Sequence, residues 1–167
     1  MRLTRRDALI IIDVLNPLDF PGAEKIHPWA KRMTPRLLSV RSRARRSGLP
    51  VIHVNDNLND FHNSFEDVVR KTCQSRSPGG RISRRLQPGR GDFRMLKPRH
   101  SAFFSTPLDL LLKSMDVRRV ILSGIATNLC VLFTAHDAHM LGYKIIVISD
   151  CCAAETDAFR ARQILPT

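Results

Sequence analysis

Acidic residues are scarce in this sequence, and their scarcity leaves the chain strongly positive. Its 167 residues include 15 Asp and Glu against 27 Lys and Arg, a formal net charge of +12 at pH 7. Such a balance is typical of proteins that bind nucleic acid or another anionic partner.

Aromatic residues are also few, at 6%, and no stacking pattern or helix-turn-helix signal accompanies the arginines. Nucleic-acid binding is therefore a weak hypothesis, and the simplest interpretation is a solvated basic face. The excess charge is concentrated in two groups of arginines, Arg41, Arg43, Arg45 and Arg46, and Arg76, Arg81, Arg84, Arg85 and Arg90.

Long hydrophobic runs are absent as well. No uncharged apolar stretch reaches the ~18 residues that a membrane-spanning helix needs. The N-terminus begins with basic residues, but the apolar stretch at 8–12 lies between Asp7 and Asp13 and is too short for the core of a signal peptide. No small-residue cleavage site follows it. We expect a cytoplasmic protein.

Cysteines are few, and their spacing matches no zinc-binding signature. The four are Cys73, Cys130, Cys151 and Cys152. The last two are adjacent, which is poor geometry for a disulfide between them. Reduced thiols are the expected state, in agreement with a cytoplasmic location.

Strand-like and helix-like segments alternate along the chain. Short apolar runs predict strands at 8–12, 50–56, 92–98, 118–124 and 143–150. Helical spacing predicts helices at 28–47, 107–114 and 127–141, and a last one beginning near residue 154. Residues 57–91 are polar and rich in Pro and Gly, and we expect a partly mobile excursion with a short helix near 64–71. This order predicts one α/β domain around a mostly parallel, Rossmann-like sheet. Whether a further strand and helix belong after Thr167 is left open.

Three residues suited to acid, base or nucleophile chemistry follow the carboxyl ends of predicted strands. They are Asp13, Lys97 and Cys130. In open parallel sheets, ligands bind beyond these ends. Each residue also has a plain structural explanation: a turn cap, a surface lysine and a buried cysteine. If the three meet, the helix N-terminus and Lys97 are expected to lower the pKa of Cys130, and Asp13 can accept the thiol proton.

Three segments resemble the isochorismatase-like cysteine hydrolase superfamily, which includes nicotinamidases and carbamoylsarcosine-type amidohydrolases. They read ALIIIDVLN, LKPRHSAFFSTPLD and SGIATNLCVLFTAHDA, and they occur in the family's order. The resemblance implies a three-layer α/β/α sandwich and a catalytic triad of Cys130, Asp13 and Lys97. It also implies a cis peptide between Ile125 and Ala126, with the backbone N–H groups of Ala126 and Cys130 forming the oxyanion hole.

Two departures from the family narrow the expected chemistry. Nicotinamidases carry an Asp-x-His metal-binding pair after the second strand, whereas this sequence has Asp56-Asn57-Leu58 and keeps only His62 downstream. We therefore expect no metal and no other cofactor. True isochorismatases lack the nucleophilic cysteine, so the presence of Cys130 favours amide chemistry.

The interpretation is a cysteine hydrolase that cleaves a small amide through a thioester. Two alternatives stay open: hydrolysis of an ester or ether, and an inactive binding scaffold that uses its basic face. The resemblance implies a homo-oligomer, either a dimer or a tetramer. The walls of the substrate pocket are predicted to include Asn16, Phe20, Asn55, Phe61, His62, Phe103 and Phe104.

Overall fold

A five-stranded parallel sheet lies at the centre of the computed structural model, which describes residues 3–156. The strands are β1 (Asp7–Ile12), β2 (Val51–Asp56), β3 (Phe93–Lys97), β4 (Arg119–Ile125) and β5 (Lys144–Ala153). Their order across the sheet is β3-β2-β1-β4-β5, and every pairing is parallel. This order puts β1 in the middle, between β2 and β4, and it brings the ends of β1, β3 and β4 to the same edge of the sheet.

The two faces of β1 explain why its sequence is continuously apolar. Leu9 and Ile11 pack on one side with helix α1 (Ala23–Arg46). Ile10 and Ile12 pack on the other side, in a second core that includes residues of α4 (Leu108–Ser114) and α5 (Leu132–Met140). A strand buried on both faces has no solvent side on which polar residues would alternate. The predicted three-layer α/β/α fold is therefore confirmed.

The helices differ from the predicted ones at two places. Helix α1 begins at Ala23 rather than near residue 28, after Gly22 in the left-handed conformation (φ 89°), and Pro28 lies inside it. Burial of Ala23 and Ile26 in the core favours this extra turn. The polar excursion contains two helices, α2 (Phe65–Gln74) and α3 (Gly80–Leu86). The second was not predicted, because its basic sequence has no helical pattern apart from the buried Ile82 and Leu86.

The end of the described chain also differs from the prediction. Strand β5 continues to Ala153, so Cys151 and Cys152 lie within the strand and are buried, rather than following it. The helix predicted to begin near residue 154 falls mostly on residues 157–167, outside the described part. Between residues 3 and 156 no helix is long and apolar enough to cross a membrane.

Gly124, near the end of β4, is placed where no side chain fits. Its φ is 124°, and a Cβ atom there would lie 2.0 Å from the backbone oxygen of Ile12 on the neighbouring strand. The close approach of the two backbones holds the end of β4 against the end of β1, directly before the segment that carries Cys130.

We predict that Gly124→Ala lowers the free energy of unfolding by about 3 kcal/mol or more, through overpacking and an unfavourable φ. The matched control is Gly142→Ala: its φ is 84° but nothing lies within 4 Å of its added Cβ. That variant carries only the cost of the backbone conformation, about 1–2 kcal/mol. Urea denaturation measures both, and equal losses for the two variants would contradict the close packing at Gly124.

Candidate active site

Asp13, Lys97 and Cys130 meet at the end of the sheet where the carboxyl ends of its parallel strands lie. Asp13 directly follows β1, Lys97 ends β3, and Cys130 lies in a π-helical turn (Thr127–Val131) between β4 and α5. The Lys97 Nζ atom lies 2.7 Å from Asp13 Oδ2 and 3.6 Å from Cys130 Sγ. The ammonium therefore touches both of the other side chains, and the thiol sits beside a paired carboxylate.

Lys97 is almost completely enclosed, with 1% of its surface exposed. Its ammonium group has three partners: Asp13, Cys130 and the backbone oxygen of Arg99 at 3.0 Å. Burial is the largest single effect and would lower the pKa of Lys97, but Asp13, Cys130 and Asp56 together outweigh it and the pKa is raised. The ammonium is consequently a fixed positive charge inside the site.

Asp13 is held by backbone as well as by Lys97. Its Oδ1 accepts a hydrogen bond of 2.6 Å from the N–H of Asp56, and its own N–H donates to the oxygen of Val54. Its backbone is left-handed (φ 51°), a conformation that Asp adopts more readily than most residues. Burial raises the pKa of the Asp13 carboxyl, although Lys97 and the thiol of Cys130 act in the opposite direction. The carboxylate is thus more basic than an ordinary aspartate.

The pKa of Cys130 departs from the expectation. Burial and the Asp13 carboxylate together raise the pKa of the thiol to about 12, and the opposing effect of Lys97 is smaller. The predicted lowering of this pKa is therefore wrong for the site without substrate, because enclosure and a neighbouring negative charge dominate over the nearby cation. The side chain of Cys130 is therefore a thiol that lies beside a carboxylate.

The segment before Cys130 contains a cis peptide bond between Ile125 and Ala126. The backbone oxygen of Ala126 accepts hydrogen bonds from the N–H groups of Leu129 and Val131, each at 3.1 Å. These bonds form the tight turn that carries the thiol. That the N–H groups of Ala126 and Cys130 bind an oxyanion stays a prediction.

Three of the predicted pocket residues make contacts within the protein. The Asn55 side chain is buried and bonds to both the N–H and the oxygen of Leu15, so it fixes the loop after Asp13. Asn16 uses its side-chain oxygen to accept from the N–H of Leu18. Phe103 stacks on Tyr143, with ring centroids 5.9 Å apart. Contact of these three side chains with a substrate stays a prediction.

The other predicted pocket residues lie on the surface. Phe20, Phe61 and Phe104 expose 42%, 84% and 54% of their surface, and His62 is exposed as well. These fractions are large for aromatic side chains. Their contact with a substrate stays a prediction.

Sequence reasoning missed His100, which lies beside the thiol. Its Nδ1 atom is 4.0 Å from Cys130 Sγ, and its ring packs against Phe133 with centroids 5.5 Å apart. Both rings are exposed, so they flank the open side of the site. Its position in the sequence could have indicated this, because His100 comes three residues after Lys97, in the loop that follows the carboxyl end of β3.

The residues after β2 do not form a metal site. The Asp56 Oδ1 atom accepts from the N–H of Leu58, and the exposed His62 binds Asp60 through its backbone. Within residues 3–156 no group of three or more His, Cys, Asp or Glu side chains is placed to hold a metal ion.

Comparison with known proteins agrees with this geometry. The family model for the isochorismatase domain matches residues 7–164. An uncharacterized isochorismatase family protein of Bacillus subtilis, YaaI, is 35% identical over 150 residues, covering 90% of this chain and 82% of its own. The ureidoacrylate amidohydrolase RutB of Caulobacter vibrioides is 30% identical, covering 86% of this chain and 75% of its own.

A solved structure gives the same result for the fold. The N-carbamoylsarcosine amidase of Thermoplasma acidophilum superimposes with a TM-score of 0.73 at 28% identity, covering 93% of this chain and 88% of that one. The agreement extends over nearly the whole domain rather than over an isolated motif. The chain belongs to the isochorismatase family, whose relatives include amide hydrolases.

Proposed function

We propose that the protein hydrolyses a small amide, with Cys130 as the nucleophile, Asp13 as the proton carrier and Lys97 as a fixed cation. The observation that carries this proposal is the position of the Lys97 ammonium, 2.7 Å from Asp13 and 3.6 Å from Cys130. A nucleophile, a base and an orienting charge within hydrogen-bond reach are the parts that covalent catalysis requires.

The raised pKa of Cys130 implies how attack begins. Because the thiol is protonated at neutral pH, its proton must leave as the sulfur attacks the amide carbonyl carbon. The buried Asp13 carboxylate accepts that proton, and Lys97 remains beside both groups. As negative charge moves from Asp13 to the sulfur and the carbonyl oxygen, the ammonium stabilises it throughout.

The proton that Asp13 takes from the thiol then allows the amine to leave. Asp13 donates it to the leaving nitrogen when the C–N bond breaks, which leaves a thioester on Cys130, or a thiocarbamate when the carbonyl belongs to an N-carbamoyl group. Water then attacks the thioester carbonyl and gives a proton to Asp13. The carbonyl–sulfur bond breaks, Asp13 returns a proton to the sulfur, and the products are an acid and an amine or ammonia.

The substrate class proposed first is an N-carbamoyl compound. Two of the relatives, RutB and the Thermoplasma amidase, are named for a ureido acid and an N-carbamoyl amino acid. Both substrates carry a terminal carbamoyl amide, which is small enough to approach a thiol that is only partly exposed. The His100 and Phe133 rings then face the rest of the molecule.

The experiment is a screen for release of ammonia from N-carbamoyl amino acids and simple primary amides, with the ester p-nitrophenyl acetate as a comparison. We expect amide hydrolysis by the wild type and a loss of at least about 10³-fold in Cys130→Ala, since the covalent route is removed. Cys73→Ala is the matched control, because Cys73 is also a free, partly buried cysteine but lies in α2. Amide hydrolysis that survives in Cys130→Ala, or Cys130-dependent hydrolysis of the ester alone, would overturn the proposal.

The pKa of the thiol should respond in opposite directions to its two neighbours. Removing the negative charge in Asp13→Asn should lower the pKa of Cys130, whereas Lys97→Met should raise it further. At pH 9 we expect iodoacetamide to alkylate Cys130 at least about tenfold faster in Asp13→Asn than in the wild type. Both variants should nevertheless lose amide hydrolysis.

Peptide mass spectrometry at a series of pH values measures this rate for each cysteine separately. Cys73 is the internal control, since neither Asp13 nor Lys97 is among the groups that shift the pKa of its thiol. A wild-type Cys130 that titrates at or below the ~8.5 of a free thiol would contradict the electrostatics described for the site.

His100 should affect substrate binding more than the chemical step. His100→Phe keeps a ring against Phe133 but removes the nitrogen that lies 4.0 Å from the sulfur. We expect KM to rise about three- to tenfold, the effect of one lost hydrogen bond, with a smaller change in kcat. Steady-state kinetics on the best amide measures the split, and Phe133→Leu is the control for loss of the ring contact. A fall in kcat with KM unchanged would instead assign His100 to the chemical step.

A further inference from the structure

A second concave site lies away from the triad, between α1 and the segment that contains α3. Its volume is about 460 Å³, and its walls include Lys31 of α1 with Arg76, Arg81, Arg84 and Arg85. His27 and Ser77 also line it, and none of the described residues at its surface is acidic. We refer to this site as the basic cavity. None of Asp13, Lys97 and Cys130 lines it.

The charges of the basic cavity are unusual because they lack acidic partners. Elsewhere in the molecule many arginines are paired, as Arg45 is with Asp92 and Arg119 with Asp7. Within residues 3–156, by contrast, Lys31, Arg76 and Arg81 form no ion pair. The same holds for Arg85, and Arg84 donates only to the backbone oxygens of Cys73 and Ser75. Like charges held around one cavity repel one another unless an anion enters.

A buried hydroxyl adds a neutral hydrogen-bond donor to this site. The Ser77 Oγ atom is inaccessible to solvent and has no hydrogen-bond partner among the described residues. A buried hydroxyl without a partner is costly, and such groups usually find one. Ser77 lines the basic cavity, so a rotation of its side chain would bring this hydroxyl to a bound acceptor.

We propose that the basic cavity binds a soluble molecule that carries two or more phosphate groups. Arginine is suited to phosphate because its planar guanidinium donates two parallel hydrogen bonds to a pair of phosphate oxygens. An anion with several negative charges complements the several cations around this cavity better than a single phosphate does. The volume is that of a small-molecule site, and the concave shape favours a small ligand over a membrane surface.

The wall of the basic cavity is rigidly attached to the rest of the fold. The Gly79 N–H donates to the Pro17 oxygen at 2.8 Å, and the N–H of Asn16 donates to Ser83 Oγ at 3.1 Å. A Cβ atom on Gly79 would lie 2.0 Å from the Asn16 oxygen. The arginines therefore extend from a segment that is anchored to the loop after β1, so the cavity is formed before a ligand arrives.

Isothermal titration calorimetry with sodium tripolyphosphate tests the proposal on the whole chain. We expect the wild type to bind one tripolyphosphate, and Lys31→Gln/Arg81→Gln to bind at least about tenfold more weakly, since two charge-assisted contacts with phosphate are lost. The matched control is Arg5→Gln/Arg90→Gln, which removes the same charge from exposed residues outside the cavity. Its affinity should stay within about twofold of the wild type, the scale expected for distant, exposed charges.

Several results would overturn the proposal. One is no binding by the wild type, and another is equal weakening in both double variants, which would indicate attraction by net charge alone. A third is an absence of tripolyphosphate binding together with cavity-dependent binding of phosphatidylglycerol vesicles or of an oligonucleotide. Lys31 and Arg81 are both exposed, and each single substitution provides a milder variant whose thermal unfolding and binding can be measured independently.

Discussion

The buried ion pair between Lys97 and Asp13 is the interaction on which the rest of the site depends. Both side chains are nearly inaccessible, and their charged atoms lie 2.7 Å apart. Removing one member of such a pair costs about 3–5 kcal/mol, because the other charge is left buried without a partner. The core clusters on the two faces of the sheet are formed by apolar side chains. The ion pair lies beyond the ends of the strands, where its ammonium is 3.6 Å from the sulfur of Cys130.

The sheet order makes this pair possible. Lys97 comes from β3 and Asp13 from β1, with β2 between them, so the long lysine side chain spans the end of one strand. The same β2 supplies the Asp56 N–H that holds the second oxygen of Asp13. On the other side of β1, the close contact at Gly124 positions the turn that carries Cys130. Three separate segments are thus aligned by the hydrogen bonds of one parallel sheet.

Much of the fold could be predicted from the sequence because buried parallel strands have a strong local pattern. The apolar run at β1 indicated a central strand, and the residues that follow strand ends indicated Asp13, Lys97 and Cys130. Helix α3 could not be found in this way, since it is stabilised by tertiary contacts of Ser83 and Leu86 rather than by an amphipathic sequence. The extension of β5 through Cys151 and Cys152 was hidden for a similar reason: short cysteine and alanine stretches have no clear period.

The electrostatics were the least predictable part. Sequence position correctly put a cation near the thiol, but the sign of the pKa shift depends on burial and on the distance to Asp13, which only the folded chain defines. The basic residues divide in the same way. Arg41, one of the arginines first counted as surface charge, is buried and donates to the backbone oxygens of Leu86 and Gln87 at the end of α3. Other arginines line the basic cavity. The amino-acid composition does not show which arginines bond within the fold and which have no acidic partner.

Hydrolysis through an acyl group on Cys130 can be tested by trapping that group. An amide substrate is turned over in the presence of hydroxylamine, and parallel samples are quenched in acid for peptide mass spectrometry. We expect hydroxylamine to compete with water for the acyl group, and the Cys130 peptide to carry the acyl mass. Turnover that yields only the water product, with no added mass on Cys130 at any substrate concentration, would show that the reaction does not pass through this thiol.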